Sequence, residues 1–212
     1  MRYERKFRLE DISQQAAGLL VRMHPAGFRQ HYPARWVNNL YFDSPAYDAF
    51  QDNASGAPQR AKYRLRWYGR PFEHLQLPVL EVKWKEGEAG SKKAFPLENG
   101  PFALSQLDEL AGHCRHILGL GKALQPVLFN SYYRSYWIAA DARFRLTIDS
   151  SMCFGPCRAT SSALLPYTLP GTVIEVKYPV NADADSDLIF QNFPFRRTKS
   201  SKYASGLGLV YG

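Results

Sequence analysis

A chain of 212 residues is long enough to bury roughly 70% of its extended surface around one substantial core. With 45% apolar and 22% charged residues it is not a disordered polymer, and no run approaches the roughly 20 continuous apolar residues of a membrane span. Lys and Arg number 27 against 19 Asp and Glu, a net charge of +8 that favours an anionic partner without saying whether it is nucleic acid, lipid or phosphate.

The start, Met1-Arg2-Tyr3-Glu4-Arg5-Lys6, carries charges with no apolar segment behind them, so neither a signal peptide nor an anchor is expected. Tyr3 to Leu9 reads as a strand. From an Asp11 cap through about Arg22, Ile12, Ala16, Leu19, Leu20 and Met23 share one side of a helix, which Pro25 and Gly27 end. Trp36 to Phe42 is the next strand, closed by Asp43-Ser44-Pro45, and the polar stretch Ala49 to Pro58 reads as a loop. Ala61 to Tyr68 and Val79 to Lys85 follow as strands, separated by the Gly69-Arg70-Pro71 break, with a short strand over Lys92 to Phe95. Pro101 to Ile117 is the second helix. Val127 to Ile138, Arg143 to Asp149 and Thr172 to Tyr178 are the later strands, Asp185 to Phe190 is a short helix, and Arg196 to Tyr203 is a basic stretch. Many strands with hairpin-length gaps and no linker predict a single domain over 1–212, of α+β class, with an antiparallel closed barrel and flanking helices.

Charged residues occupy every second position inside these apolar strands. Arg64 and Arg66 flank Leu65, and Glu81, Lys83 and Lys85 alternate with Val82 and Trp84, so the charges share one face of each strand. Arg143-Phe144-Arg145 and Val173-Ile174-Glu175-Val176-Lys177 repeat the same order in the second half, as a weak internal duplication. One such strand fits an ordinary solvent face. Four favour a polar face turned inward, where unpaired cations are costly unless water, acids or a polyanion meets them. Arg offers paired donors to phosphoryl oxygens and Lys a compact charge, while a carboxylate among them either balances charge or completes a site for a hard divalent cation.

The remaining reactive residues point elsewhere. Cys153 and Cys157 have no second pair to complete a metal site, and free, inert thiols of a reducing compartment are favoured over a Cys153 to Cys157 bridge. His24, His31, His74, His113 and His116 read as surface or cap residues without metal-ligand spacing. Trp67-Tyr68 and Tyr132-Tyr133 are candidate base-stacking platforms, with core packing favoured. Asp43 and Asp149 read as turn caps ahead of catalytic groups.

Taken in order, Tyr3-Glu4-Arg5-Lys6, Asn39-Leu40-Tyr41-Phe42-Asp43-Ser44-Pro45, Lys62-Tyr63-Arg64-Leu65-Arg66-Trp67-Tyr68-Gly69, Leu80-Glu81-Val82-Lys83, Tyr132-Tyr133-Arg134, Phe144-Arg145-Leu146-Thr147-Ile148-Asp149, Ile174-Glu175-Val176-Lys177 and Ser201-Lys202-Tyr203 resemble the signature of the VTC domain. This is the polyphosphate polymerase domain within the CYTH, or triphosphate tunnel metalloenzyme, superfamily. The resemblance implies a tunnel of antiparallel strands that binds ATP or another triphosphate and polyphosphate, with Mn²⁺ or Mg²⁺ as cofactor. It implies phosphate-binding and catalytic roles for Lys6, Arg64, Arg66, Lys83, Arg134, Arg145, Lys199 and Lys202, with Lys93 or the adjoining Lys92 as a further contact. Glu175 is the implied metal ligand, with Glu4 and Glu81 as second candidates for metal or charge balance. The superfamily's E-x-E-x-K start is here Arg2-Tyr3-Glu4-Arg5-Lys6, which is closer to the VTC branch and weakens a two-metal reading. A compact bacterial cytoplasmic form, without membrane insertion or a nucleic-acid partner, is the implied context. A triphosphate or polyphosphate hydrolase and a noncatalytic polyphosphate- or nucleotide-binding module are the alternatives that the same residues allow.

Overall fold

The computed structural model describes residues 2–69, 74–86, 89–98, 100–157, 165–198 and 200–212. Among the described residues nine strands pair in one antiparallel sheet: β1 (Arg2–Leu9), β2 (Arg29–Asp43), β3 (Gln59–Tyr68), β4 (Val79–Glu86), β5 (Ala89–Pro96), β6 (Gln125–Ile138), β7 (Arg145–Pro156), β8 (Tyr167–Leu169) and β9 (Thr172–Pro179). Five α-helices among the described residues flank them: α1 (Gln14–Arg22), α2 (Asp48–Ser55), α3 (Leu107–Ile117), α4 (Ser186–Phe190) and α5 (Lys202–Tyr211). The strand order is β1-β9-β7-β6-β2-β3-β4-β5, with β8 attached to β7. The expected antiparallel sheet with flanking helices is present, and among the described residues its hydrogen-bonded path runs from β1 to β5 without a pairing that closes it into a barrel. No helix among the described residues is long and apolar enough to cross a membrane.

The chain divides into two compact units, one of Met1–Arg35, Tyr132–Met152 and Leu169–Ser200, the other of Trp36–Ser131, Cys153–Thr168 and Ser201–Gly212. In the first, alternate residues of β1, β7 and β9, among them Phe7, Ile148, Ile174 and Val176, form a core with Ala17 and Val21 of α1. Each large apolar side chain buried there contributes roughly 1.5–3 kcal/mol. The helix begins at Ser13, whose hydroxyl accepts from Ala16 N at 3.2 Å, two residues later than the Asp11 cap expected from sequence. His24 is buried, not a surface residue: one ring nitrogen lies 2.9 Å from the Ile189 carbonyl and the other accepts from Ala26 N at 3.0 Å. Gly171 turns the chain into β9 at φ +85°, and a Cβ there would meet the backbone of Leu9 and Glu10.

In the second unit Leu40, Phe42, Leu65, Trp67 and Leu80 pack with Leu107, Leu110, Ala111 and Cys114 of α3. The expected loop from Ala49 is instead α2, and the reason lies upstream. The Asp43 carboxylate accepts from the backbone N–H groups of Ser44, Ala49 and Phe50 at 2.8, 2.9 and 3.0 Å, so a strand-end residue caps a helix that starts five positions later. Gly56 at φ +75° ends it. The basic C-terminal stretch continues into α5, capped by Ser201. Gly206 lets this helix approach β6 and β7, where a Cβ would collide with Leu128 and Phe154.

Candidate functional site

The second unit carries a dense cationic face. Antiparallel register places Lys62, Lys83 and Lys92 directly opposite one another on β3, β4 and β5. Like charges in this position repel, and a sheet evolved only for stability avoids them. The next row holds Arg64 opposite Glu81. Arg64 donates from Nε and Nη2 to Glu81 Oε2 at 2.9 and 2.6 Å, Arg66 approaches the same oxygen at 3.5 Å, and Lys92 donates to Oε1 at 2.7 Å. Three cations therefore meet one carboxylate, with Lys62 and Lys83 in the adjoining row. Burial alone would raise the Glu81 carboxyl, but Arg66, Arg64 and Lys92 outweigh it and hold it far below the ordinary carboxylate range. Both Glu81 oxygens are engaged by cations, Oε2 by Arg64 and Arg66 and Oε1 by Lys92.

Neighbouring polar groups fix this face. Arg66 Nε donates to Asn39 Oδ1 at 3.0 Å, and Asn39 Nδ2 donates in turn to Asn130 Oδ1 at 3.2 Å. Asn130 Nδ2 reaches the Cys153 carbonyl at 3.2 Å. Lys62 Nζ donates to the Ser201 hydroxyl at 2.8 Å, so the capping residue of α5 meets the lysine row, and Lys202 is the first residue of that helix. A lysine at a helix N-terminus opposes the macrodipole, a second placement of positive charge with a stability cost. Lys93 lies on the other face of β5, its Nζ 5.8 Å from the Trp84 ring centre, so register assigns the cluster to Lys92.

The first unit carries a mixed face. Lys6 of β1, Glu175 of β9 and Thr147 of β7 stand opposite one another, and so do Glu4, Lys177 and Arg145. Lys177 Nζ lies 2.5 Å from Glu175 Oε1, while Lys6 Nζ sits 3.9 Å from both Glu4 Oε1 and Glu175 Oε2. Burial would raise the Glu175 carboxyl, yet Lys177, Lys6, a hydrogen bond with Glu4 and the Arg134 charge hold it well below the ordinary range. Arg134 forms a two-pronged pair with Asp149, Nε to Oδ1 at 2.5 Å and Nη2 to Oδ2 at 2.7 Å, and its guanidinium carbon lies 5.1 Å from the Tyr132 ring centre. Burial would lower the Arg134 pKa, but Asp149 above all keeps it raised and the group charged. Arg145 begins β7 and is exposed, and Arg143, outside the strand, pairs instead with Asp141 and Asp185.

Several expectations change on these placements. Asp43 does cap, whereas Asp149 anchors Arg134 within a strand. Trp67 is buried in the core, and Tyr132 is buried beside Arg134, so neither offers a free ring face for a base. Among the described residues Cys114, Cys153 and Cys157 are in no disulfide, and burial raises all three pKa values, that of Cys114 to about 12. Lys199 lies outside the described residues. Lys62, Lys92, Lys177, Asn39 and Asn130 join the faces without having been singled out as primary site residues. Their signal was the same two-residue alternation, visible only once strand register is fixed.

Among the described residues no group of three or more His, Cys, Asp or Glu side chains could hold a metal unaided. Glu4 and Glu175 offer two carboxylates on one face, a hard oxygen donor set that fits Mg²⁺ or Mn²⁺ only when phosphate oxygens and water complete the shell.

The fold is shared with solved structures of low sequence identity. A proposed adenylate cyclase from Vibrio parahaemolyticus is 16% identical at TM-score 0.58, covering 98% of this chain and 97% of that one. A proposed adenylyl cyclase from Hippeastrum, described as revealing a dominant triphosphatase activity, is 17% identical at TM-score 0.54, covering 99% and 97%. The PH1819 protein from Pyrococcus horikoshii is 12% identical at TM-score 0.53, covering 97% and 95%. At these identities the likeness concerns the fold alone. No curated protein matches the chain. The family model described as the VTC domain matches residues 1–211.

Proposed function

We start from a chain that belongs to the VTC domain family, and propose that it is a metal-dependent polyphosphate polymerase moving the terminal phosphoryl group of ATP onto a polyphosphate chain. The observation that carries this reading is the row of Lys62, Lys83 and Lys92 in register beside Arg64 and Arg66, with Glu81 as the lone carboxylate among them. Such a row is unfavourable by itself and favourable against a polymer of closely spaced phosphates.

In this reading Arg64 and Arg66 hold non-bridging oxygens through paired donors, while the three lysines follow the chain as point charges. Arg134, oriented by Asp149, and Lys6 and Lys177 neutralise charge that builds on the transferring group. Arg145, Lys202 and Lys199 are assigned to the same phosphate binding by family motif. Glu175 and Glu4 would hold Mn²⁺ or Mg²⁺, which when bound polarises phosphoryl oxygens. An oxygen of the terminal phosphate of the acceptor attacks the γ-phosphorus of ATP, the bond to the β–γ bridging oxygen breaks, and ADP leaves with that electron pair. No side-chain nucleophile is needed.

The test is a time course with ATP and Mn²⁺, with and without a short polyphosphate primer, resolved by product length. Lengthening of the primer with matching ADP release is the expected result. Orthophosphate release without lengthening would replace this reading with hydrolysis, the alternative favoured by the activity described for the Hippeastrum protein. Tight polyphosphate binding with no turnover under any divalent metal would leave a binding module.

A further inference from the structure

Beyond Arg134 the same side of β6 continues to Tyr136, two residues along the strand. Arg35 of β2 donates from Nε to the Tyr136 hydroxyl at 3.2 Å, and its guanidinium carbon lies 5.4 Å from the centre of that ring. Tyr32 meets the Tyr136 ring edge-on, with centroids 6.0 Å apart at 85°, and His31 lies 4.0 Å from Tyr32. The assembly lies at the edge of the surface, with Tyr32 54% exposed, Arg35 exposed and Tyr136 half-buried. It is a preassembled set of rings and donors at the surface, at a step of about 7 Å along the strand from Arg134. A step of that size bridges a nucleotide's phosphates and its base.

We propose that Tyr136, Arg35 and Tyr32 form a base-binding platform that recognises the donor as a nucleoside triphosphate, a proposal that rests on the phosphate-binding reading of Arg134. A planar base stacks on the Tyr136 ring beside the Arg35 guanidinium. Purines, with the larger stacking area, gain most. Inorganic triphosphate has nothing to place there, so the platform separates nucleotide donors from the inorganic chains that the lysines and arginines hold without distinction. Neither Tyr132 nor Trp67 competes for this role, both being buried.

The experiment measures binding of ATP and of inorganic tripolyphosphate by calorimetry, without divalent metal so that neither turns over, for the unmodified protein, Tyr136→Ala and Arg35→Ala. Each substitution is expected to weaken ATP about tenfold, in line with the usual worth of one base-aromatic stack, and to leave tripolyphosphate unchanged. In Tyr136→Trp, ATP should quench fluorescence beyond the unmodified background and tripolyphosphate should not. Equal weakening of both ligands would make the pair part of the phosphate grip and overturn the platform, as would no weakening of either. Failure of the unmodified protein to bind tripolyphosphate would remove the phosphate reading itself, and the platform with it.

Discussion

Glu81→Gln separates charge balance from metal ligation by the signs of two effects. The Glu81 side chain is 6% exposed, and its partners Arg66, Arg64 and Lys92 are 11%, 20% and 39% exposed. The substitution keeps the shape and leaves three cations around a neutral amide. Breaking a fully buried pair costs about 3–5 kcal/mol, and the partial exposure of these partners reduces this to about 2–3 kcal/mol. For a chain of this length that lowers Tm by about 4–12 °C. The cations released from Glu81 become available to a polyanion, so tripolyphosphate should bind about five- to tenfold more tightly, worth about 1 kcal/mol. Thermal melts with and without tripolyphosphate read both effects, and the ligand should recover more of the lost stability in the variant than it adds to the parent. Tripolyphosphate binding that weakens in Glu81→Gln, or a Tm that does not fall, would refute the assignment of Glu81 to charge balance.

Removing the middle lysine of the row should act in the opposite sense: Lys83→Ala relieves like-charge repulsion, raises apo Tm by about 1–2 °C, and weakens tripolyphosphate severalfold in calorimetry. Asp149→Asn leaves the Arg134 charge buried without its carboxylate and should cost about 3–5 kcal/mol in urea unfolding, whereas Arg134→Leu with Asp149→Leu should recover most of the stability without restoring turnover. Glu175 has a folded-state pKa below its unfolded value of about 4.3, so its contribution is fully present above that pH and lost as pH falls through the lower folded value. The stability difference between the parent and Glu175→Gln should therefore be constant above about pH 5 and shrink below about pH 4 in acid titrations.

The alternation that places Arg64, Arg66 and Glu81 on one face is local, a property of one strand at a time, so the sequence alone revealed it. The lysine row is not local. Whether Lys92 or Lys93 joins it depends on parity in β5, a short strand whose register is set by pairing with β4 rather than by its own pattern. The apparent repeat between the halves has the same limit. Arg64 stands opposite Glu81, whereas the residue opposite Glu175 is Thr147 and Arg145 stands opposite Lys177, so the motifs agree in order and differ in register. Both missed helices have equally physical causes. The cap of α2 comes from Asp43 at the end of the preceding strand, and α5 contains Gly206 and Gly208, poor helix formers by propensity, with Gly206 required for close approach to Leu128 and Phe154. The family resemblance read from the ordered motifs holds over residues 1–211, because it drew on many weak local signals in sequence and on no cross-strand pairing.

Charge balance differs between the two faces, and the difference bears on their chemistry. On β3, β4 and β5, five cations share a face with Glu81 and three of them meet it, a ratio that favours an extended polyanion over any single small ligand. Around Glu175, by contrast, Lys6, Lys177, Arg134 and Arg145 are interleaved with Glu4, Asp149 and Glu175 itself. Simple anion binding does not require three carboxylates there. Asp149 orients Arg134 and Glu175 pairs with Lys177, and in the proposed reaction these carboxylates would serve charge stabilisation at one reacting phosphorus. Substitutions on the cationic face should therefore alter affinity for chains roughly in proportion to charge removed, while substitutions around Glu175 should alter turnover more than binding.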